Sequence, residues 1–216
     1  MKLAVFDCDG TLVDSQVNII QAMNQAFQAV GIACPNDQAV RHCVGLSLAE
    51  IMVTLVPDGD AALHARLVDA YRSTYHAMRA AGTLAVEPLY PGIREALAAL
   101  AAAGWGLGVA TGKSDRGLAL ILEHHDITHY FCTLQTADRH PSKPHPAMLE
   151  LAMREAGVEP AQTVMIGDTA FDMAMGVAAG VRAIGVDWGY HDRAALLAAG
   201  AEIVVGTSTE LFKVLL

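Results

Sequence analysis

Two pairs of carboxylates stand out in this chain. Asp7 and Asp9 are two residues apart in Leu3-Ala4-Val5-Phe6-Asp7-Cys8-Asp9-Gly10-Thr11-Leu12-Val13-Asp14-Ser15, directly after a short apolar run. Asp168 and Asp172 are four apart in Gly167-Asp168-Thr169-Ala170-Phe171-Asp172. Between the pairs come a hydroxyl, Thr111 in Thr111-Gly112-Lys113-Ser114, and a lysine, Lys143 in Pro141-Ser142-Lys143-Pro144-His145-Pro146. On a strand Asp7 and Asp9 would face opposite ways. At a strand's end the chain turns, Gly10 allows a close approach, and both carboxylates can serve one site. Acids so close repel each other, which makes a divalent cation such as Mg²⁺ their natural partner. The Thr111 hydroxyl, the amides of Gly112 and Lys113 and a helix start can together hold a phosphoryl oxygen. Taken singly, each group has an ordinary use: Asp7 and Asp9 as turn caps, Thr111-Gly112 as a strand-to-helix turn, Lys143 as a surface lysine, Asp168 and Asp172 as helix N-terminal acids. Their joint occurrence in this order points to a site.

Periodicity supplies the elements that must position these groups. Leu3–Phe6 reads as a buried strand. Val17, Ile20, Phe27 and Val30 follow helical spacing up to Gly31. Pro35-Asn36 starts a short helix, Ser47-Leu48-Ala49-Glu50 matches a capping box, and residues 61 to about 80 form a longer helix. Residues 16–87 are therefore expected to be an all-helical cap, closed by the stiff connector Glu87-Pro88-Leu89-Tyr90-Pro91-Gly92. From Ile93 strands and helices alternate. Helices are expected over 93–103, from Ser114 to His124, from Pro144 or His145 to Ala156, after Asp168 through Ala179, over 192–199 and at the C-terminus. Strands are expected at 107–110, 131–135, 163–167, 183–186 and 202–205. Such alternation implies a Rossmann-like α/β core over 1–15 and 88–216. Its parallel sheet should be covered on both faces, with the strand C-termini sharing one rim.

The set resembles the haloacid dehalogenase superfamily, and within it the phosphatases with a helical cap after the first strand. Asp7-x-Asp9-Gly10-Thr11-Leu12-x-Asp14-Ser15 is similar to the family's first motif, Thr111 to the second, Lys143 to the third and Gly167-Asp168-x-x-x-Asp172 to the fourth. The resemblance implies an aspartyl-phosphate mechanism with Asp7 as nucleophile and Asp9 as acid and then base. Mg²⁺ would be held by Asp7, Asp9 (through its backbone carbonyl), Asp168 and Asp172, and the phosphoryl group by Thr111, Gly112 and Lys143. It also implies a Mg²⁺-dependent phosphatase acting on a small phosphorylated metabolite, with phosphoglycolate phosphatases as the nearest likeness. A β-phosphoglucomutase-like sugar-phosphate mutase, a pyrophosphatase and a non-enzymatic phospholigand-binding module are the alternatives. Arg41, His42, Ser47 and Arg72 are the cap groups to watch. His129, His140, His145 and His191 are candidate substrate contacts, and Trp188 and Tyr190 could line an entrance or simply pack. Asp14–Gln16 and Glu87–Gly92 are candidate hinges.

Composition narrows the classes. The chain has 216 residues, 53% of them hydrophobic, which is enough for one large domain or one with a smaller insertion. Its net charge of −9, from 14 basic and 23 acidic residues, argues against a nucleic-acid surface. Cys8, Cys34, Cys43 and Cys132 form no metal-ligand spacing and read as reduced thiols, with Cys8 a small filler between the aspartates. No membrane span or signal peptide is expected, so the expectation is a cytoplasmic protein, monomer or homodimer.

Overall fold

The computed structural model describes residues 2–216. Strand β1 (Lys2–Phe6) lies at the centre of a six-stranded parallel sheet. With β2 (Trp105–Thr111), β3 (Phe131–Thr136), β4 (Thr163–Gly167), β5 (Arg182–Val186) and β6 (Ile203–Val205), the order is β3-β2-β1-β4-β5-β6. The winding direction reverses at β1, which pairs with β2 on one side and β4 on the other. In such a sheet the crevice for a ligand opens at the strand C-termini beside that reversal, where Asp7, Thr111 and Asp168 all follow a strand or end one.

The alternation along β1 shows why both faces must be covered. Ala4 and Phe6 point into a cluster with Leu107, Val109, Ile166 and Ile184. That cluster is closed by α5 (Ile93–Ala102), α6 (Asp115–His124) and α10 (Ser208–Leu215) through Leu97, Leu118 and Leu211. Leu3 and Val5 point the other way, onto Met148, Leu149 and Ala152 of α7 (Ala147–Ala156) and Met175 of α8 (Ala170–Ala178). Helix α9 (Arg193–Ala198) extends that second layer through Leu196.

Between β1 and α5 run four helices, α1 (Gln16–Val30), α2 (Asp37–Cys43), α3 (Leu48–Leu55) and α4 (Ala61–Ala80). They bury a cluster of their own, including Met23, Phe27, Val40, Met52 and Leu67. The segments entering and leaving this helical region lie side by side. Asp14 N–H donates to the Pro88 carbonyl at 2.9 Å, Tyr90 N–H donates to the Leu12 carbonyl at 2.9 Å, and Val13 bridges Leu89.

The structure departs from the sequence expectations at a few element ends. Helix α7 starts at Ala147, with Pro146 as its cap, rather than at Pro144 or His145. A residue preceding proline is pushed out of the helical region, so the helix begins only after the last proline. Strand β2 runs from Trp105 to Thr111, longer than 107–110, because pairing with β1 carries it back through Gly106, a residue of poor strand propensity, and pairing with β3 carries it on to Thr111. Only half of the Ser47–Glu50 capping box forms: the Ser47 hydroxyl accepts from Glu50 N–H at 3.4 Å, and no return bond from the Glu50 side chain accompanies it among the described residues. A reciprocal box occurs instead at Thr169 and Asp172. No described helix is long and apolar enough to cross a membrane.

Candidate active site

The strand ends bring Asp7, Lys143, Asp168 and Asp172 together with almost no exposure to solvent. Lys143 Nζ lies 2.6 Å from Asp172 Oδ1 and 3.0 Å from Asp7 Oδ2. Burial opposes the lysine's charge, but Asp172 and Asp7 outweigh it and hold the ammonium above the ordinary lysine range. Ligand oxygens of Asp7, Asp168 and Asp172 fall within 4.8 Å of one another. Burial, with Asp172 and Asp9 adding repulsion, pushes Asp7 up to about 7 even against the attraction of Lys143. Burial and the charges of Asp172 and Asp7 raise Asp168 as well. Three carboxylates with a single lysine leave an excess of negative charge out of water, which is unstable without a further cation.

Each carboxylate is oriented by its neighbours. Asp168 Oδ1 accepts from the Thr11 hydroxyl at 2.8 Å and Oδ2 from Tyr190 N–H at 2.9 Å. A Cβ at Gly189 would collide with Asp168, so the Trp188–His191 segment can press on this acid only with glycine there. Asp172 Oδ2 accepts from the Thr169 hydroxyl at 2.7 Å and its amide at 3.1 Å, while Oδ1 takes the Lys143 ion pair. Asp7 Oδ1 accepts from Cys8 N–H at 2.6 Å. Asp7 Oδ2 is buried and has no aligned hydrogen bond, with the Lys143 ammonium 3.0 Å away. This orphaned oxygen beside Asp168 and Asp172, an all-oxygen donor set, fits a hard divalent cation such as Mg²⁺.

Asp9 is turned elsewhere. Its Oδ1 accepts from the Ser15 hydroxyl and lies 2.6 Å from Lys113 Nζ, and Ser15 Oγ is 3.3 Å from the Tyr190 hydroxyl. Thr111 and Gly112 lie beside Asp7 and Asp9 in the wall of a cavity of about 300 Å³. Its opposite wall comes from the helical region: Ile19 and Met23 of α1, Gly45–Ala49, Ile51 of α3, and Tyr71, Arg72, Tyr75, His76 and Arg79 of α4. The two walls touch where a Cβ on Gly112 would collide with the Leu46 carbonyl.

Comparison with known proteins decides the family. Residues 4–186 match the family model described as haloacid dehalogenase-like hydrolase. The chain belongs to the haloacid dehalogenase-like hydrolases. A relative from Dickeya dadantii named "Probable phosphatase IndB" is 36% identical over 97% of this chain and 91% of its own length. A Vibrio vulnificus relative named phosphoglycolate phosphatase is 30% identical over 100% of this chain and 96% of its own. A crystal structure described as that of "a predicted phosphatase from Clostridium acetobutylicum" superposes with a TM-score of 0.87 at 26% identity, covering 98% of this chain and 96% of that one. This haloacid dehalogenase-like enzyme is a hydrolase of the phosphatase type.

Of the groups singled out in the sequence, Asp7, Lys143, Asp168 and Asp172 form one buried cluster, and Asp9, Thr111 and Gly112 line the cavity with Asp7. Ser47 and Arg72 also line the cavity, whereas Arg41 and His42 do not. The His42 ring instead stacks on His191 at 4.2 Å. His191 accepts from Ala170 N–H through Nδ1 at 3.1 Å, which leaves Nε2–H to donate to the His42 carbonyl at 3.0 Å. His129 and His145 are exposed, and His140 bonds to Gln135 at 2.8 Å. Trp188 and Tyr190 lie outside the cavity lining and pack instead, Trp188 on the sheet core and Tyr190 on the helical core. Burial lifts the Cys8 thiol well above its ordinary range, in keeping with a filler. The Lys113 side chain, Ser15, and the residues His76 and Arg79 that continue the row begun by Arg72 escaped sequence reasoning. The last had a legible signal, since spacings of four and three place them on one helix face, but nothing local says which face meets the cavity.

Proposed function

We propose that this phosphatase hydrolyses a small phosphomonoester with Mg²⁺ in two steps, Asp7 being the nucleophile. The buried, unbonded Asp7 oxygen in a charge-dense pocket at the sheet's switch point carries this reading. Asp7, the Asp9 backbone carbonyl and Asp168 would hold Mg²⁺, with Asp172 joining directly or through water. When bound, the ion supplies positive charge against the carboxylates and the phosphoryl oxygens. Thr111, the Gly112 amide and Lys143 hold the phosphoryl group in line with Asp7. An Asp7 oxygen bonds to phosphorus as the ester P–O bond breaks, and Asp9 gives its proton to the departing oxygen. Water then attacks phosphorus, Asp9 takes the water's proton, and the bond to Asp7 breaks to release phosphate.

We read residues 16–87 as a cap domain that shapes the leaving-group side, and 1–15 with 88–216 as the catalytic core. The separate helical core and the paired linkers support that division. Such a cap would exclude water from the first step and admit it for the second. 2-Phosphoglycolate is the first substrate to test, on the strength of relatives so named. Four free cysteines support a cytoplasmic setting.

The test is phosphate release with Mg²⁺ or EDTA from 2-phosphoglycolate, sugar phosphates, nucleotides, pyrophosphate and p-nitrophenyl phosphate. Metal-dependent release that disappears in Asp7→Asn is expected. Release that persists in Asp7→Asn would overturn the nucleophile assignment. Conversion of glucose 1-phosphate in the presence of a bisphosphate primer, without net phosphate release, would move the enzyme to the mutases.

A further inference from the structure

The Lys113 side chain has no part in the two steps set out above. Lys113 follows Thr111 by two residues and is the one lysine lining the cavity among the described residues. Its ammonium lies 2.6 Å from Asp9 Oδ1, an oxygen that also accepts from Ser15. Asp9 Oδ2 has no hydrogen-bond donor among the described residues, so it is the oxygen left to face a leaving group. Lys113 thus stands beside the carboxylate that would meet a leaving group, in the lining of the same cavity.

The charges around it point the same way. Burial works against the Lys113 charge, but Asp9 outweighs it and holds the ammonium well above its ordinary range. Arg72, Arg79 and Arg116 also line the cavity, and none has an ion-pair partner among the described residues. The nearby acids are engaged. Glu87 Oε1 accepts from Asn18 and from the Tyr75 hydroxyl, both at 2.7 Å, and Asp138 Oδ2 accepts from Asp115 N–H at 2.9 Å. Outside the buried cluster the lining sets four cations, Lys113, Arg72, Arg79 and Arg116, against three carboxylates, Asp9, Glu87 and Asp138, an excess of positive charge that a neutral alcohol would not match. Two of the three ammonium protons remain after the bond to Asp9.

We propose that Lys113 is a specificity-determining residue that grips a carboxylate on the leaving group, so that the preferred substrates are phosphate esters of short hydroxy acids. This rests on the phosphatase reading above and adds the group that reads the substrate. The ester oxygen sits between Asp7 and Asp9, and a carboxylate one carbon beyond it comes within reach of Lys113. A charge-assisted hydrogen bond in a water-poor cavity is worth about 10- to 100-fold in discrimination.

The experiment compares kcat/KM for two esters of nearly equal size, 2-phosphoglycolate and 2-hydroxyethyl phosphate. It uses the wild type, Lys113→Met and Lys113→Arg, with p-nitrophenyl phosphate as a common reference. The wild type should favour the carboxylate ester by about 10- to 100-fold. Lys113→Met should reduce that ratio to about threefold or less, and Lys113→Arg should keep most of it. The ratio is the readout, because loss of the Asp9 contact alone would slow both esters together. A ratio unchanged in Lys113→Met would overturn the assignment, as would a wild type that hydrolyses p-nitrophenyl phosphate without preferring the carboxylate. That second result would leave the phosphatase reading standing, whereas no hydrolysis of any ester would remove that reading itself. Should Lys113→Met fail to fold, inhibition of the wild type by glycolate but not by ethylene glycol is the expected sign, and equal inhibition by the two would overturn the proposal.

Discussion

At the rim of the sheet, Asp7, Lys143, Asp168 and Asp172 are buried, and each carboxylate takes hydrogen bonds from named neighbours. Across the cavity, Arg72 and His76 on α4 are exposed, Arg79 is half-buried, and no ion pair holds any of the three among the described residues. The rim spends burial energy on concentrating like charges. The helical wall buries an ordinary apolar core and leaves its polar row free to adapt. A phosphoryl group is the same in every ester and rewards a rigid, preorganised receptor. Leaving groups differ, and a wall with free side chains can be altered without disturbing the chemistry. On this comparison, changes at the rim should affect every substrate alike, and changes in the wall should sort substrates.

The largest expected effect is at Asp7. Asp7→Asn should lower phosphate release at least about 10⁴-fold on every substrate while leaving far-ultraviolet circular dichroism unchanged. Substrate-dependent losses would break the comparison at its strongest point.

Next is Lys143→Met. It leaves Asp7, Asp168 and Asp172 buried without a protein cation and should cost about 3–5 kcal/mol of stability in EDTA. Thermal unfolding should show part of that loss restored by Mg²⁺. Equal destabilisation with and without the ion would show that the acids do not form a cation site.

In the wall, Tyr75→Phe removes the hydroxyl that donates to the buried Glu87 at 2.7 Å, where the second linker begins. It should cost about 1–2 kcal/mol by urea unfolding. Unlike the rim variants, it should raise KM by different factors for different leaving groups. A uniform fall in kcat would place Tyr75 with the rim.

The smallest effect is at His191, which joins the two regions. Burial lowers its pKa below the ordinary histidine value of 6.5. The unfolded chain therefore binds more protons here than the folded one, and the stability this residue contributes is present above pH 6.5 and fades as the pH falls below it. Protonation would also cost the bond that Nδ1 accepts from Ala170. Stability measured against pH should fall less steeply below pH 6.5 in His191→Gln than in the wild type, by about 1 kcal/mol. Parallel curves would mean that His191 contributes nothing to the junction.

What could be read beforehand divides along the same line. Asp7, Asp9, Thr111, Lys143, Asp168 and Asp172 could be singled out because each carries a local signal: Asp7, Thr111 and Asp168 follow or end a strand, Asp9 comes two residues after Asp7, Lys143 sits in a proline-rich run before α7, and Asp172 lies in the first turn of α8. The parallel sheet followed from the alternation of strands with helices, since parallel neighbours need a crossover that a helix supplies. The Thr169–Asp172 box was as local as these and was overlooked because Asp172 already had a role; its carboxylate serves both. Tertiary structure alone decided that Lys113 meets Asp9 across 104 residues, that Thr11 and Tyr190 orient Asp168, and that α4 turns Arg72, His76 and Arg79 toward the cavity. The physical reason is range. Strand and helix periods, caps and turns are set by neighbours in sequence, whereas the partner of a charge is set by how separate elements dock. Docking sums many weak apolar contacts that no short stretch of sequence contains.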